Sequence, residues 1–226
     1  MTAGRRVLEK VKPHRPNLSD IAYQEIKQMI FLGELDQGEK ILLDKLSSKL
    51  NLSITPIREA LNKLGQEDLV QIKPRTSHEI TSLNEQDVGD ILELREMLET
   101  FALKTAGANF SRFPVKTYRK LFSTPSKYSD PNKFNEIDVQ FHETIINMSR
   151  NKKLQKLFYY NDNLVCLLSH PASKIKGRIK MAVKEHLELI DAIEANNVDL
   201  AVKHLSTHLQ SLKSALLQTY KSKDKQ

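Results

Sequence analysis

The spacing of apolar residues changes twice along this chain of 226 residues, and the two changes constrain its fold more than any other feature. Apolar residues follow a helical period over residues 18–68, alternate with polar residues over 69–82, and return to a helical period from residue 83 onwards. This order predicts a mainly α protein. We expect a winged arrangement of three helices and a β-hairpin in residues 18–82, followed by an all-α antiparallel bundle in residues 83–226.

The third predicted helix lies in the stretch LSITPIREALNKL, residues 52–64. Its apolar residues recur at helical spacing from Ile57 to Leu64, and Pro56 suits a first turn, where the missing N–H has no helical partner to lose. Three helices followed by a hairpin form a winged helix-turn-helix, whose third helix enters the major groove of DNA. We therefore predict that the opposite, polar face contacts DNA; the alternative is an ordinary solvated face. This face carries Thr55, Arg58 and Asn62.

Small polar residues predict where the helices begin. Ser19 is the expected N-cap of the first helix, and Ser53 or Thr55 that of the third. Ser82, followed three residues later by Glu85, predicts a capping box at the first helix of the bundle. We therefore place the boundary between the two parts near residue 82.

The charge distribution permits nucleic-acid binding without proving it. The net charge is +7 and the isoelectric point is near 9.3. Residues 1–17 carry five basic residues against one acidic residue, a net charge of +4, whereas residues 18–82 carry eight against ten, a net charge of −2. Residues 1–17 are therefore expected to be a basic, flexible arm that either contacts phosphates or is simply solvated.

The composition suits a cytoplasmic protein. Cys166 is the single cysteine, so no internal disulfide framework can form. The N-terminal sequence MTAGRRVLEK lacks the apolar stretch of a signal peptide. The longest purely apolar run is Leu164–Leu168, far shorter than the roughly 20 residues that a membrane span needs. We expect no membrane association.

Four side chains fall at positions that predict a metal site. Asp138 and His142 stand four residues apart on one predicted helix, so both project from the same face. His186 and His208 each lie eleven residues from Asn197, the centre of the turn between the last two predicted helices. Folding the chain at that turn places the two rings side by side.

Three imidazoles and one carboxylate form a ligand set for a first-row divalent ion, namely zinc, nickel, manganese or iron. For each histidine the alternative is burial with ordinary hydrogen bonds. The hairpin symmetry favours His208 over His204. Because His204 shares a helix face with His208, it stays a second candidate on spacing alone.

Arg95 falls on an apolar helical stripe together with Ile91, Leu98 and Ala102, where an unpaired guanidinium is costly. Glu99, one turn later, is one expected partner. The other is a carboxylate ligand held in a cavity by the two parallel N–H groups of the guanidinium.

These segments together resemble the GntR family of transcriptional regulators, in the branch with an all-helical FCD ligand-binding domain. In the first part the resemblance rests on GELDQGEKI and LSITPIREALNKLGQEDLV, and in the second on LELREMLE, IDVQFHETIINMSRN and EHLELIDAIEANNVDLAVKHLSTH. It covers nearly the whole chain, from about residue 17 to residue 220. It implies a homodimeric DNA-binding regulator, not an enzyme, whose bundle holds a small organic acid, often on zinc or nickel.

The resemblance also implies residue roles. The arginine of LELREM matches a family position, which implies that Arg95 binds the effector. The family's metal ligands correspond to Asp138, His142, His186 and His208, which selects His208 over His204. The residues implied or predicted to contact DNA are Ser53, Thr55, Arg58, Asn62, Lys63 and Arg75, with Arg5 and Arg6 of the arm added as phosphate contacts.

Three positions depart from the family pattern. Ile54 stands where an arginine usually follows the serine, so a guanine-reading side chain is missing and a different operator is expected. Thr76–Ser77 replaces Arg-Gly at the tip of the hairpin, where a tight turn with positive φ costs more without glycine. Leu43 and Asp44 replace the usual acidic start of the second helix.

The resulting hypothesis is a regulator of a near-palindromic operator. A carboxylate effector completes the coordination of the metal, pairs with Arg95, and changes the DNA affinity of the dimer. Two alternatives stay open. One is a metal sensor, in which the ion itself is the signal. The other is a metal-dependent hydrolase that uses Glu143 or Glu185 as a base.

Overall fold

The computed structural model describes residues 17–73, 77–128 and 130–223. Over these residues the protein is mainly helical, with nine α-helices and one small three-stranded sheet. The predicted fold class is therefore confirmed. None of the described helices has the length and apolarity needed to cross a membrane.

Three helices form the N-terminal head, residues 18–82: α1 (Leu18–Phe31), α2 (Leu43–Leu50) and α3 (Ile54–Gln66). The predicted apolar stripe of α3, from Ile57 to Leu64, is fully buried and packs against Ala22 and Ile26 of α1. Each large aliphatic side chain buried in this way contributes about 1.5–3 kcal/mol. Burial of the stripe turns the polar face of α3 outward.

The start of α1 differs from the prediction. Asn17 is the N-cap, because its side-chain oxygen accepts a hydrogen bond of 2.7 Å from the backbone N–H of Asp20. Ser19, the predicted cap, lies inside the first turn and donates to the same Asn17 oxygen at 2.8 Å. For α3, Ser53, one of the two predicted candidates, stands at the N-cap position, but its side chain makes no capping hydrogen bond.

The predicted hairpin is present as two antiparallel strands, β2 (Val70–Lys73) and β3 (Ser77–Ile80), after a short strand β1 (Lys40–Ile41). Val70 pairs with Ile80 and Lys73 with Ser77. Sequence analysis missed β1, which pairs with the other edge of β3 through Lys40 and Glu79. A strand of two residues has no periodicity to detect, and its pairing depends on β3. The tip of the hairpin, residues 74–76, lies outside the described residues.

Six helices form the bundle, residues 83–226: α4 (Glu85–Ala106), α5 (Val115–Phe122), α6 (Pro131–Met148), α7 (Lys152–Ser173), α8 (Arg178–Glu194) and α9 (Val198–Lys223). Pro131 takes the first position of α6, where proline is tolerated, and Asp130 caps that helix. The chain turns between α8 and α9 at the predicted place, with Asn196 in the left-handed conformation at φ 54°. Asn197 then accepts a hydrogen bond of 3.0 Å from the N–H of Leu200.

The capping box of α4 differs from the prediction. Its two members are Asn84 and Asp87, whose side chains exchange hydrogen bonds with each other's backbone N–H groups at 3.0 and 2.8 Å. The predicted pair, Ser82 and Glu85, precedes that pair by two positions. The motif was recognised in the right segment, but in a run of polar residues the spacing alone did not select its members.

The head is not separated from the bundle by a break in the hydrophobic core. The buried residues of the head form one cluster with apolar residues at one end of the bundle. Among these bundle residues are Val88 of α4, Leu168 of α7 and Leu216 of α9. Gln37 adds a polar contact, because its side-chain amide donates to the carbonyl of Leu167 at 2.8 Å. The bundle therefore contacts the head directly, with α7 packed against α1.

Candidate metal centre and effector pocket

Four side chains from three helices converge inside the bundle. Asp138 and His142 belong to α6, His186 to α8 and His208 to α9, and one ligand atom from each lies within 4.8 Å of the others. Asp138 Oδ1 lies 3.4 Å from Nε2 of His186 and 3.9 Å from Nε2 of His142. The imidazoles are at most 2% exposed. Asp138 is the partly exposed member, so the cluster opens on its side.

The antiparallel hairpin of α8 and α9 brings two of the imidazoles together. The ring centres of His186 and His208 lie 4.4 Å apart, as expected for residues equidistant from the turn at Asn197. His204, the second candidate on spacing, lies one turn away and is partly exposed, with Nδ1 3.6 Å from a carboxylate oxygen of Glu188. The structure thus brings His208, and not His204, into the cluster.

Two carboxylates outside the cluster orient its imidazoles. Glu99 Oε2 lies 2.6 Å from Nδ1 of His142, and Glu185 Oε2 lies 2.8 Å from Nδ1 of His208. Burial raises the pKa of Glu185, but hydrogen bonds from His208 and Arg178 outweigh it and bring that pKa below its ordinary value. An ionised acceptor at Nδ1 places the proton there and leaves the Nε2 lone pair free.

The donor atoms of the cluster fit a divalent metal ion. Nε2 of His142 and both ring nitrogens of His186 are buried and have no hydrogen-bond partner in the described part of the chain. An unsatisfied buried polar atom costs about 1–3 kcal/mol, which a bound ion would recover. Burial, and after it the charge of Arg95, lowers the pKa of His142 well below the ordinary value. Burial, and after it the interaction with His208, does the same for the pKa of His186. Neutral imidazoles with free lone pairs, beside one carboxylate, are zinc-type or nickel-type ligands.

A pocket adjoins the cluster and is lined by Asp138, His208 and Arg95, among others. It leaves about 40 Å³ for the centres of water-sized molecules. One water needs about 10–15 Å³ on that measure, so the pocket has room for a few waters or a small acid.

Both partners expected for Arg95 are compatible with its position. Its Nε donates to Glu99 at 2.7 Å, while its Nη2 is buried without a partner among the described residues. Burial lowers the pKa of Arg95, but the charges of Glu99, Asp162 and Asp138 raise it above the ordinary value, so the guanidinium stays charged. One edge of the guanidinium is thus held by the protein, and one N–H₂ group remains for a ligand.

The two carboxylates considered as bases for a hydrolase, Glu143 and Glu185, have other surroundings. Glu185 is hydrogen-bonded by His208 and Arg178. Glu143 lines a separate cleft between α1, α6 and α7, together with Lys27. Neither arrangement presents a free base to the metal cluster.

Three buried polar residues of the bundle were not predicted: Asn135 and Arg178, which line the pocket, and Asp162, which lines the cleft that contains Glu143. Asn135 had a detectable signal, because it lies three residues before Asp138 and therefore on the same helix face. Arg178 had none, since the side chains that it meets lie 7 and 30 residues further along the chain.

The predicted DNA-contact residues of α3 lie on the surface of the head. Ser53, Thr55, Arg58 and Asn62 are exposed. Lys63 is half-buried and its Nζ is 2.6 Å from a carboxylate oxygen of Asp20. Arg75, Arg5 and Arg6, the remaining predicted contacts, lie outside the described residues.

A winged helix-turn-helix joined to a helical bundle with a buried cluster of metal-capable side chains is typical of one class, the two-domain transcriptional regulators. Residues 18–80 match the family described as "Bacterial regulatory proteins, gntR family", and residues 90–211 match the FCD domain. The chain therefore belongs to the GntR family, in the branch that carries an FCD domain. Proteins of this family are DNA-binding transcriptional regulators and not enzymes.

Individual relatives agree with this assignment. The chain is 25% identical over 190 residues to the regulator YdhC of Bacillus subtilis, covering 82% of this chain and 85% of that protein. It is 26% identical over 191 residues to the gluconate operon transcriptional repressor of Bacillus licheniformis, covering 80% and 77%. The structure of McbR/YncC of Escherichia coli has the same fold, with a TM-score of 0.78 at 19% identity over 90% of this chain and 99% of that one.

Proposed function

We propose that this regulator binds a two-fold operator as a cytoplasmic homodimer, and that a small organic acid bound in the bundle controls its affinity for DNA. The observation that carries the proposal is the position of Arg95. Arg95 lines the same pocket as Asp138 and His208 of the metal-capable cluster, and its buried Nη2 has no partner among the described residues. A carboxylate in that pocket satisfies the buried donor, which nothing else among the described residues does.

The cluster contributes the second half of the effector site. Asp138, His142, His186 and His208 would hold the ion, with zinc or nickel first and manganese or iron as alternatives. When bound, the ion supplies a Lewis acid that attracts a carboxylate oxygen. Burial keeps His142 and His186 neutral, and Glu99 and Glu185 orient His142 and His208 respectively.

DNA recognition falls to the exposed face of α3. Arg58 and its neighbours Ser53, Thr55 and Asn62 supply contacts to base edges and the nearby backbone. Lys63, Arg75 and the arginines of the arm supply phosphate contacts, which make the affinity dependent on salt. Because Ile54 takes the place of a family arginine, we propose an operator that differs from the family's common one.

The dimer is supported by an exposed apolar stripe on α4. Leu94, Met97 and Phe101 lie at helical spacing and are 37%, 60% and 48% exposed. Pairing through such a stripe in a two-fold arrangement would present two α3 helices to successive major grooves.

The path from effector to head runs through α7. Val165, Leu168 and Ala172 of α7 line the pocket and also belong to the hydrophobic cluster of the head. An acid that moves these side chains therefore acts directly on the packing of the head. It changes operator affinity only as far as it binds the DNA-competent and DNA-incompetent arrangements differently.

The test starts from the full chain and an operator selected from random-sequence DNA. Small carboxylic acids are titrated against the operator complex, and we expect at least one to change the DNA affinity by about 5–150-fold. Arg95→Lys, which keeps the charge but loses the planar fork, should bind DNA and lose the response. If no acid that binds the protein changes the operator affinity, the control mechanism is refuted. Repeating the titration after chelation, with and without acid, separates acid control from metal sensing.

A further inference from the structure

Three residues that line the effector pocket each carry a buried hydrogen-bond donor without an acceptor, and Arg95 is one of them. The other two donors are Nδ2 of Asn135 and Nε of Arg178, each buried and unpartnered within the described ranges. Asn135 is 4% exposed and Arg178 is 6% exposed. Each buried donor left unpaired costs about 1–3 kcal/mol, so one carboxylate on Arg95 leaves two of these costs unrecovered.

Arg178 is held in place independently of any ligand. Its Nη2 donates to Glu185 Oε2 at 2.9 Å and lies 3.4 Å from His208 Nδ1. These contacts fix the guanidinium plane while Nε stays free. The arginine is thus a positioned donor at low entropic cost, and not a loose surface side chain.

Asn135 and Arg178 approach the pocket from different helices, α6 and α8, and apolar side chains line the wall between the polar groups. Phe134, Ile179 and Leu212 belong to this wall. A short hydrocarbon segment suits it, whereas oxygen atoms suit the donors.

We infer that the effector is a bifunctional short-chain acid, with a carboxylate for Arg95 and a second oxygen acceptor for Arg178 and Asn135. The second acceptor is a carboxylate or a hydroxyl group, and both satisfy the same donors. Arg178 and Asn135 then determine specificity by rejecting acids with an unsubstituted chain, because such acids leave buried donors unpaired. This inference rests on the proposed function, in which the bundle binds an acid.

The test measures binding of acids of equal length to the full chain by calorimetry. Propionate and butyrate are the unsubstituted probes, malonate and succinate the diacids, and 3-hydroxypropionate and 4-hydroxybutyrate the hydroxy acids. We expect a diacid or a hydroxy acid to bind at least tenfold more tightly than the unsubstituted acid of the same length. The two arms of the series distinguish a carboxylate from a hydroxyl as the second group.

Two variants assign that preference to its residues. Arg178→Lys keeps the charge beside Glu185, and Asn135→Leu keeps the approximate size without the donor. Each variant should bring the affinity for the diacid or hydroxy acid close to the affinity for the unsubstituted acid of the same length. The affinity for the unsubstituted acid itself should stay within about twofold of the wild-type value. Arg95→Lys should weaken both kinds of acid together. The unchanged affinity for the unsubstituted acid shows that the variants are folded, and Asn135→Leu decides the matter if Arg178→Lys does not fold.

The outcomes separate the two claims. If the wild-type protein binds matched acids equally, or if neither variant changes the ratio of their affinities, this inference is overturned and the proposed function stands. If no acid binds and none alters DNA affinity, the proposed function fails, and this inference fails with it.

Discussion

The two oxygens of Glu99 are divided between different partners, and the shorter contact, 2.6 Å from Oε2, is to Nδ1 of His142. The other oxygen accepts from Nε of Arg95 at 2.7 Å. All three side chains are buried. One carboxylate therefore orients a metal-capable imidazole and the guanidinium proposed to bind the effector at the same time, which links the two halves of the proposed site.

We expect Glu99→Gln to weaken metal binding by about 10–100-fold, the usual effect of losing a carboxylate that orients a ligand histidine. The amide keeps the size but removes the charge that balances Arg95, so the variant should also be destabilised by several kcal/mol. Competition with a metal indicator and chemical denaturation measure the two effects. Glu96→Gln on the same helix is the control. Equal metal affinities for Glu99→Gln and Glu96→Gln would show that Glu99 does not orient the ligand set.

Removal of a ligand from the cluster should abolish metal binding. We expect the purified protein to contain about one divalent ion per chain and His142→Ala to contain none. His204→Ala, which changes a histidine outside the cluster, should retain the ion. A bound ion at 100 times its dissociation constant stabilises the fold by about 2.7 kcal/mol, so chelation should lower the melting temperatures of the wild-type protein and of His204→Ala, but not that of His142→Ala. Elemental analysis with thermal melts checks both points, and metal retained by His142→Ala argues against the cluster.

Local patterns in the sequence accounted for much of this cluster. Asp138 and His142 follow from a spacing of four on a helix, and His186 and His208 follow from the symmetry of one hairpin. The role of Glu99 could not be predicted in the same way, because 43 residues separate it from His142. Sequence analysis paired it only with Arg95, its neighbour on the helix.

The helices and strands were also predictable only where a local sequence pattern determines them. Long amphipathic helices were predictable because their period repeats many times, whereas β1 has two residues and exists through its pairing with β3. The cap at Asn17 was predicted two residues too late, at Ser19, and the cap at Asn84 two residues too early, at Ser82. Both errors arise because several adjacent polar residues can cap a helix. The single hydrophobic cluster that joins head and bundle depends on contacts between distant segments, so no local pattern indicated it.

Asp162 predicts a dependence of stability on pH. Burial raises its pKa to about 7 in the folded protein, although the charge of Arg95 opposes the shift, and an unfolded aspartate titrates near 3.9. The folded state therefore binds the proton more tightly, so the free energy of unfolding falls as pH rises from about 4 to about 7, by up to roughly 4 kcal/mol. Asp162→Asn should remove this loss and be more stable than the wild-type protein at pH 8.

Denaturation at pH 5 and pH 8 checks the effect of Asp162→Asn, with Asp90→Asn on the exposed face of α4 as the control. The quantity to compare is the loss of stability between the two pH values, because the histidine cluster is present in all three proteins. An Asp162→Asn protein that loses as much stability as the wild type would contradict the assignment.

The exposed face of α3 predicts two different effects on DNA binding. Arg58→Ala should cost about 1–3 kcal/mol on the selected operator and relax the preference at the base pair that Arg58 contacts. Lys63→Ala should weaken binding to all sequences alike and reduce the salt slope by about one, because a phosphate contact carries no sequence information. Its ion pair with Asp20 is half-exposed and contributes little that would compete with DNA.

Affinities measured over a range of salt on operator and scrambled DNA distinguish the effect of Arg58→Ala from that of Lys63→Ala, with Lys203→Ala on α9 as a control far from the head. If Arg58→Ala lowers both affinities by the same factor, α3 contacts only the backbone at this position and the assignment of sequence readout to Arg58 is wrong.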